Sequence, residues 1–288
     1  MRAQSMSILT GNARCNASCP FCISRMTPKQ GVCKDAPLVN WRNFDKACRL
    51  AELLGTTSVL LTGKGEPTLF PDQITHFLVQ LDEYNFPIIE LQTNGLLFED
   101  DKYDDYLKEW YDRGLTFIAL SVVHYDYKVN KSVYTPNGKY MDLEKVIEKL
   151  HRFGFSVRLS CTMIKGGIDS FMSFKNMVAK SHEWEVEQLS IRKLSYPDVS
   201  EDAGVLKWCA MNEVSEAQHV EIEQYLESQG TKLMTFEWGA TVYDLNDQNV
   251  AITNALTFNQ EKDDLRQLIF FPDGRLRYDW QRKGAILI

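Results

Sequence analysis

Short runs of β-branched and aliphatic residues alternate along this chain with longer segments whose apolar positions recur every three or four residues. The first run, Ser7-Ile8-Leu9-Thr10, is followed by a helical segment from Asn43 to Leu54, in which Phe44, Ala47, Leu50, Ala51 and Leu54 fall on one face. Thr57 to Thr62 reads as the second strand and Gln73 to Tyr84 as the next helix. The alternation continues through a strand at Ile88 to Gln92, a helix at Tyr103 to Arg113, a strand at Phe117 to Val122 and a helix at Leu143 to Phe153. A strand at Val157 to Met163, a helix at Ser170 to Trp184 and a strand at Gln188 to Leu194 complete six repeats. Strand alternating with helix implies parallel strands joined by right-handed crossovers. The pattern predicts an α/β chain with six βα units in an open barrel over residues 1–230, followed by a small extension over residues 231–288.

Two connections are long enough to interrupt this rhythm, Tyr125 to Met141 and Ser195 to Asn212. Long connections at the carboxyl ends of barrel strands build binding sites, which makes Tyr125 to Met141 a candidate substrate loop. Its Pro136-Asn137-Gly138 turn chemistry is equally that of a plain solvated loop. In the extension, Leu268 to Phe271, the turn Pro272-Asp273-Gly274, and Arg275 to Tyr278 read as a β-hairpin.

Composition narrows the function classes. The 288 residues are 44% hydrophobic and 25% charged with a net charge of −7, as in a globular enzyme rather than a disordered or fibrous chain. A pI near 5.4 with no long basic stripe argues against a nucleic-acid partner. Met1 to Thr10 lacks an apolar signal core, and nowhere do 18 uncharged apolar residues run together, so neither export nor a membrane role is expected. Seven cysteines, odd in number with three crowded together, make a poor disulfide framework and suit a reducing, cytoplasmic setting.

Those three crowded thiols are the chain's strongest chemical signal. Arg14-Cys15-Asn16-Ala17-Ser18-Cys19-Pro20-Phe21-Cys22 is a C-x3-C-x2-C loop, which offers three thiolates to a four-iron cluster and withholds a fourth. A cluster that only stores electrons takes four cysteines, so an open iron points to chemistry at the metal. Zinc, with Cys33 as a fourth ligand, is the alternative, but zinc sites usually pair two separated C-x2-C or C/H units and no second pair exists here.

The cysteine spacing, the aromatic Phe21 before the third cysteine and the position near the start of the chain resemble the radical S-adenosylmethionine (radical SAM) superfamily. The resemblance implies a partial (β/α)6 TIM-like barrel with Cys15, Cys19 and Cys22 on a single [4Fe–4S] cluster. It also implies that the open iron chelates S-adenosylmethionine, that an electron cleaves the sulfonium to methionine and a 5′-deoxyadenosyl radical, and that the radical takes hydrogen from an organic substrate. An external one-electron donor such as flavodoxin or ferredoxin follows from the same likeness.

Further segments carry the resemblance. Thr62-Gly63-Lys64-Gly65-Glu66-Pro67 looks like the family's G-x-G-E-P stretch, so that Gly63, Gly65 and Glu66 are expected at the methionine amino group, with Lys64, where many members have glycine, pointing away. On that expectation a branched side chain at Gly65 blocks the cofactor without touching the iron site. Thr93 and Asn94 of Gln92-Thr93-Asn94-Gly95 match a segment near the cofactor, or else form a strand-ending turn. Ser121 resembles a ribose-binding residue, and Ser160 or Thr162 is placed toward the cofactor carboxylate. Arg192 interrupts the sixth strand and needs an anion, either that carboxylate or a barrel glutamate. His124 is a candidate catalytic acid or base, or a structural hydrogen-bonding group.

The barrel strands resemble the molybdopterin-precursor cyclase branch, yet the extension has no cysteines for that branch's carboxyl-terminal cluster. Two islands each carry a net charge of +3, Arg14 to Asp35 and Leu265 to Ile288. Converging on the barrel mouth, they would favour a small anionic metabolite or nucleotide, with Arg275 and Arg277 as substrate residues on a hairpin that closes the barrel. Otherwise the first offsets the negative cluster and the second is solvated surface. A peptide-modifying enzyme and a non-enzymatic iron–sulfur sensor remain the alternatives.

Overall fold

The structure, a computed structural model, describes every residue except 1, 30, 33, 34, 36, 37, 198, 199, 201, 237, 238 and 254–264. Its strands are β1 (Ala3–Leu9), β2 (Ser58–Thr62), β3 (Ile88–Thr93), β4 (Phe117–Val122), β5 (Ser156–Met163), β6 (Gln188–Lys193), β7 (Thr231–Thr235), β8 (Thr241–Leu245), β9 (Gln248–Thr253), β10 (Leu265–Phe270) and β11 (Leu276–Arg277). The helices are α1 (Ile23–Met26), α2 (Trp41–Leu53), α3 (Pro71–Leu81), α4 (Asp104–Asp112), α5 (Tyr127–Tyr134), α6 (Leu143–Arg152), α7 (Phe171–Glu183), α8 (Ala203–Asn212) and α9 (Glu216–Gln229). No helix among the described residues is long and apolar enough to cross a membrane.

Each predicted strand and helix of the six repeats is present, within a few residues at its ends. The reasons are local. In α2, Phe44, Ala47, Cys48 and Ala51 share the buried face while the Asn40 side chain accepts the Asn43 N–H at 3.1 Å as an N-cap. Ser170 and Ser173 form a capping box at α7, and Ser215 and Gln218 form one at α9.

All eleven strands join one sheet in the order β11-β10-β1-β2-β3-β4-β5-β6-β9-β8-β7. Every pairing from β10 through β9 is parallel, and β11, β8 and β7 are antiparallel additions. The sheet is open, an α/β partial barrel whose edges are β11 and β7. The predicted hairpin is β10–β11, which extends the sheet on the β1 side, while β9 adds to β6 on the other. The parallel set is therefore eight strands, not six.

Strand parity divides inside from outside. Val59, Leu61, Leu91, Ile118, Leu120, Val157, Leu159, Leu189 and Ile191 belong to the main hydrophobic core between sheet and helices. The opposite parity places Glu90, Gln92, Ser121, Arg158, Ser160, Ser190 and Arg192 toward the concave interior. A closed TIM barrel packs that interior with branched apolar side chains; here it is polar from β3 to β9. Only near β1 and β10 does a small apolar cluster fill it, from Leu9, Ile269 and Phe271 with Trp280 against them.

Neither long connection is an open loop. Tyr125 to Met141 contains α5, with Asn130 and Tyr134 buried, and Ser195 to Asn212 contains α8.

Candidate functional site

The cysteine loop follows β1 and is braced on three sides. Ser18 N–H donates to the Tyr134 carbonyl at 2.9 Å, Asn137 N–H to Asn16 at 2.8 Å, and the Thr135 hydroxyl to Ser18 at 2.9 Å. Tyr125 to Met141 thus braces the thiol loop and is not the plain solvated loop that its turn chemistry also allowed. From β3, Asn94 Nδ2 donates to Asn16 Oδ1 at 2.7 Å and approaches Cys15 Sγ at 3.8 Å. From β2, Glu66 N–H donates to the Arg14 carbonyl at 2.8 Å.

Phe21 packs edge-on to Tyr134 and tilted against Trp208 of α8, with centroids 6.0 and 5.9 Å apart. It holds the loop under two other elements. Arg25 of α1 pairs with Asp202, the N-cap of α8, at 2.7 Å, which ties α8 to the turn that follows the cysteine loop.

Neighbouring thiols disfavour the ionisation of Cys15 and Cys19. Burial pushes Cys15 up to about 11, with Glu66 and Cys22 adding to the rise. Burial raises Cys19 further, and Cys22 and Cys15 again contribute. Three thiols on one short loop are a donor set suited to a positive charge, which bound iron would supply. Among the described residues no three His, Cys, Asp or Glu side chains converge on the position of a single metal ion. Cys33, the proposed fourth zinc ligand, lies outside the described residues. Cys48, Cys161 and Cys209 are buried elsewhere.

The Gly63 to Pro67 stretch is tied to the cysteine loop. A Cβ on Gly65 would lie 2.0 Å from the Arg14 carbonyl oxygen, so the glycine is required by the cysteine loop itself. At Gly63 a Cβ would lie 3.0 Å from the Thr10 carbonyl oxygen. Glu66 is 4% exposed and its carboxylate accepts from Thr68 N and Oγ1, Thr93 Oγ1 and Asn94 N, at 3.0, 2.7, 2.5 and 3.0 Å. Burial raises its pKa and these bonds oppose the rise. Glu66 and Thr93 therefore join the β2 and β3 loops, and what this stretch can offer a ligand is backbone. Lys64 donates to the Thr27 hydroxyl, just after α1.

Ser121, Ser160 and Arg192 line a cavity of about 330 Å³ with Glu90, Gln92, Ser190 and residues of β8 and β9. Ser121, Ser160 and Ser190 are register partners across β4, β5 and β6, so three hydroxyls stand in a row. Arg192 donates from Nε to Thr162 Oγ1 at 3.1 Å and has no carboxylate partner among the described residues. Burial draws its pKa down, and the Tyr134 hydroxyl and Cys161 oppose this. The barrel glutamate, Glu90, is paired instead with Arg158 and accepts from Gln92 Nε2 at 2.9 Å.

His124 lies outside this cavity. Its Nδ1 accepts the Asp126 N–H at 2.9 Å, its ring stacks on Tyr125 at 4.1 Å, and burial lowers its pKa. Arg277 is buried, paired with Asp273 at 2.7 Å and stacked 4.2 Å over Phe271, while Arg275 is exposed and neither lines the cavity. The arginines that do line it are Arg158 and Arg192. Arg158, Glu90, Gln92 and Ser190 were missed in the sequence reading. Their signal was present in the parity of Ser156-Val157-Arg158-Leu159-Ser160-Cys161-Thr162, where every second residue is polar.

Comparison with known proteins bears on this site. A family model described as the Radical SAM superfamily matches residues 11–177. No curated protein matches the sequence. Among solved structures, Streptococcus suis SuiB bound to precursor peptide SuiA is 16% identical with a TM-score of 0.59, covering 96% of this chain and 59% of that one. Native anSMEcpe with bound AdoMet is 14% identical with a TM-score of 0.57, over 99% of this chain and 77% of that one. Coproporphyrinogen III oxidase (HemN) from Escherichia coli, itself a radical SAM enzyme, is 16% identical with a TM-score of 0.52, over 80% of this chain and 53% of that one. The chain thus spans a little over half the length of SuiB and HemN.

Proposed function

From the premise that the chain belongs to the radical SAM superfamily, we propose that it is an enzyme that cleaves S-adenosylmethionine reductively and takes hydrogen from a small polar, anion-bearing substrate. The observation that carries the reading is the braced loop of Cys15, Cys19 and Cys22 at the carboxyl ends of the strands, above a polar cavity. A four-iron cluster held by those thiolates would supply, when bound, the electron that splits the cofactor into methionine and a hydrogen-abstracting 5′-deoxyadenosyl radical.

The chain's own residues do the rest. Asn94 and the Tyr134 carbonyl fix the loop that presents the thiols. Glu66 sets the β2 and β3 loops so that their backbone meets the methionine moiety. Arg192 is the cation placed for its carboxylate, and Ser121 and Ser160 are hydroxyls placed for its ribose and carboxylate. Phe21 and Trp208 cover the loop and keep water from the reacting centre. Arg158 and Ser190 are left to the substrate. Electrons come from an external one-electron donor.

A peptide substrate is the second reading, and one observation favours it. All five residues of β7, an outer edge of the sheet, are exposed, and Phe236 just beyond it reaches the cavity rim. Such an edge can take an extended peptide as an added strand.

Anaerobic reconstitution with iron and sulfide, followed by iron counting and product analysis under dithionite, tests the proposal. Wild type and Cys48→Ala are expected to hold about four irons and form 5′-deoxyadenosine, and Cys15→Ala, Cys19→Ala and Cys22→Ala to hold almost none. A full cluster in all three triad variants, or a wild-type cluster that never yields 5′-deoxyadenosine, would refute it; the latter outcome fits a sensor.

A further inference from the structure

Lys64 has no task in the function proposed above, yet it is among the most constrained cations of the chain. The residue is 7% exposed. Its ammonium donates to the Thr27 hydroxyl and, at 3.4 Å, to the Pro28 carbonyl. Both acceptors follow α1, the single turn that begins at Cys22, and the Ser24 hydroxyl of that turn donates to the Lys64 carbonyl. On its other side the ammonium lies 5.5 Å from the centroid of the Trp280 ring. Trp280 is anchored in turn, donating from Nε1 to Gln267 at 3.0 Å, and Gln267 donates to Ser7 at 2.6 Å.

No carboxylate faces this ammonium among the described residues; the Cys22 thiol is the one group that favours its charge. A buried cation without a counter-ion costs several kcal/mol, which is why such groups are paired or lose their proton. Burial alone draws Lys64 down to about 8. The missing negative charge is what the adjacent thiolate-bound cluster would carry, and reduction makes it more negative by one unit. Cluster potentials follow local charge, hydrogen bonding and solvent exposure.

We propose that Lys64 is a positioning charge for the iron–sulfur site, stabilising its reduced state from behind Cys22 and so raising its reduction potential, while Trp280 keeps water away from the ammonium. The inference rests on the cluster reading of Cys15, Cys19 and Cys22. The redox step is a plain electron transfer. A one-electron donor is oxidised, the cluster gains the electron, and no bond or proton moves. A residue of the carboxyl-terminal hairpin region thereby acts on the metal centre at the other end of the sequence.

The test uses reconstituted holoprotein and reads the midpoint potential, by titration with dithionite and mediators followed by electron paramagnetic resonance of the reduced state. Lys64→Met is expected to bind iron as wild type does and to be at least tenfold less reduced at a fixed potential, a downward shift of about 59 mV for one electron. Lys64→Arg is expected to restore the potential. Trp280→Leu, which keeps the charge but admits water, is expected to fall between.

An unchanged potential in a fully loaded Lys64→Met variant would overturn the proposal and leave Lys64 a mechanical tie between two loops. Should Lys64→Met fail to assemble, Trp280→Leu decides, and an unchanged potential there overturns it equally. Failure of the underlying cluster reading looks different, because wild type itself would then bind no iron.

Discussion

Between Gly65 and Arg14 there is no room for even one carbon, and this changes what a substitution there does. The Arg14 carbonyl, 2.0 Å from a Cβ on Gly65, is also the acceptor for Glu66 N–H and immediately precedes Cys15. Gly65→Val is therefore expected to displace the cysteine loop and lose most of its iron in reconstitution, rather than to spare the metal and block the cofactor. Iron counting against the wild type checks this, and a fully loaded variant would show that the loop can yield. Arg192→Gln is expected to do the opposite, keeping the cluster while weakening S-adenosylmethionine binding at least tenfold in equilibrium dialysis, since removing one charged partner of a buried anion costs about 1.5–3 kcal/mol. The sequence showed where these residues stand, because the cysteine and G-K-G-E-P spacings are local. It did not show that Glu66 spends four bonds on its own protein, since Thr93 and Asn94 lie 27 and 28 residues away.

Among the elements, those with a strong two- or three-to-four-residue period were legible and the others were not. β5 alternates at every position, and α2 keeps its apolar residues on one face. By contrast α9 buries only His219, Ile222 and Leu226, and α8, Ala203-Gly204-Val205-Leu206-Lys207-Trp208-Cys209-Ala210-Met211-Asn212, has no polar face to set against an apolar one. β7 is exposed at every residue, so no burial pattern could mark it. The junction between α1 and α8 gives a test at this scale. Asp202 both pairs with Arg25 and accepts the Val205 N–H at 3.0 Å as N-cap, while Arg25 is half exposed and does only the former. An exposed ion pair contributes roughly 0–1 kcal/mol, and a lost N-cap costs about 1 kcal/mol. Asp202→Ala is therefore expected to lower Tm by about 2–4 °C more than Arg25→Ala in a thermal melt. Equal shifts would show that the cap contributes nothing and that the latch is a surface pair alone.

For the whole molecule, the long-range pairings decide which arginines a substrate meets. The six-unit barrel was legible, but the addition of β10 beside β1 and of β9 beside β6 joins residues some 260 and 60 positions apart, and local periodicity is blind to such partners. That topology is what removes Arg277 from the cavity. The hairpin packs beside β1, Phe271 joins Leu9 and Ile269, and Asp273 and the Phe271 ring hold the guanidinium. Arg158 takes its place on the opposite, polar half of the interior. It lies four residues below Thr162, the register partner of Arg192, so along strands rising about 3.3 Å per residue the two residues' backbone positions are offset by about 13 Å. The serine row falls midway, which puts a substrate held by its anion at Arg158 with its neighbouring carbons near the site where a cofactor held at Arg192 would react. Removing Arg158 alone strands Glu90, which is 2% exposed, so the informative variant is Glu90→Gln with Arg158→Gln. With the substrate in hand, that pair of changes is expected to cut kcat/KM at least tenfold, while 5′-deoxyadenosine formed without substrate stays at the wild-type rate. Arg275→Gln is expected to be silent in both measurements, and Arg277→Gln to cost about 3 kcal/mol in urea denaturation with kcat/KM unchanged. Retained kcat/KM in the double variant would return Glu90 and Arg158 to a structural pair at the floor of the barrel. A loss in Arg277→Gln beyond its loss of stability would instead move the anion to the hairpin.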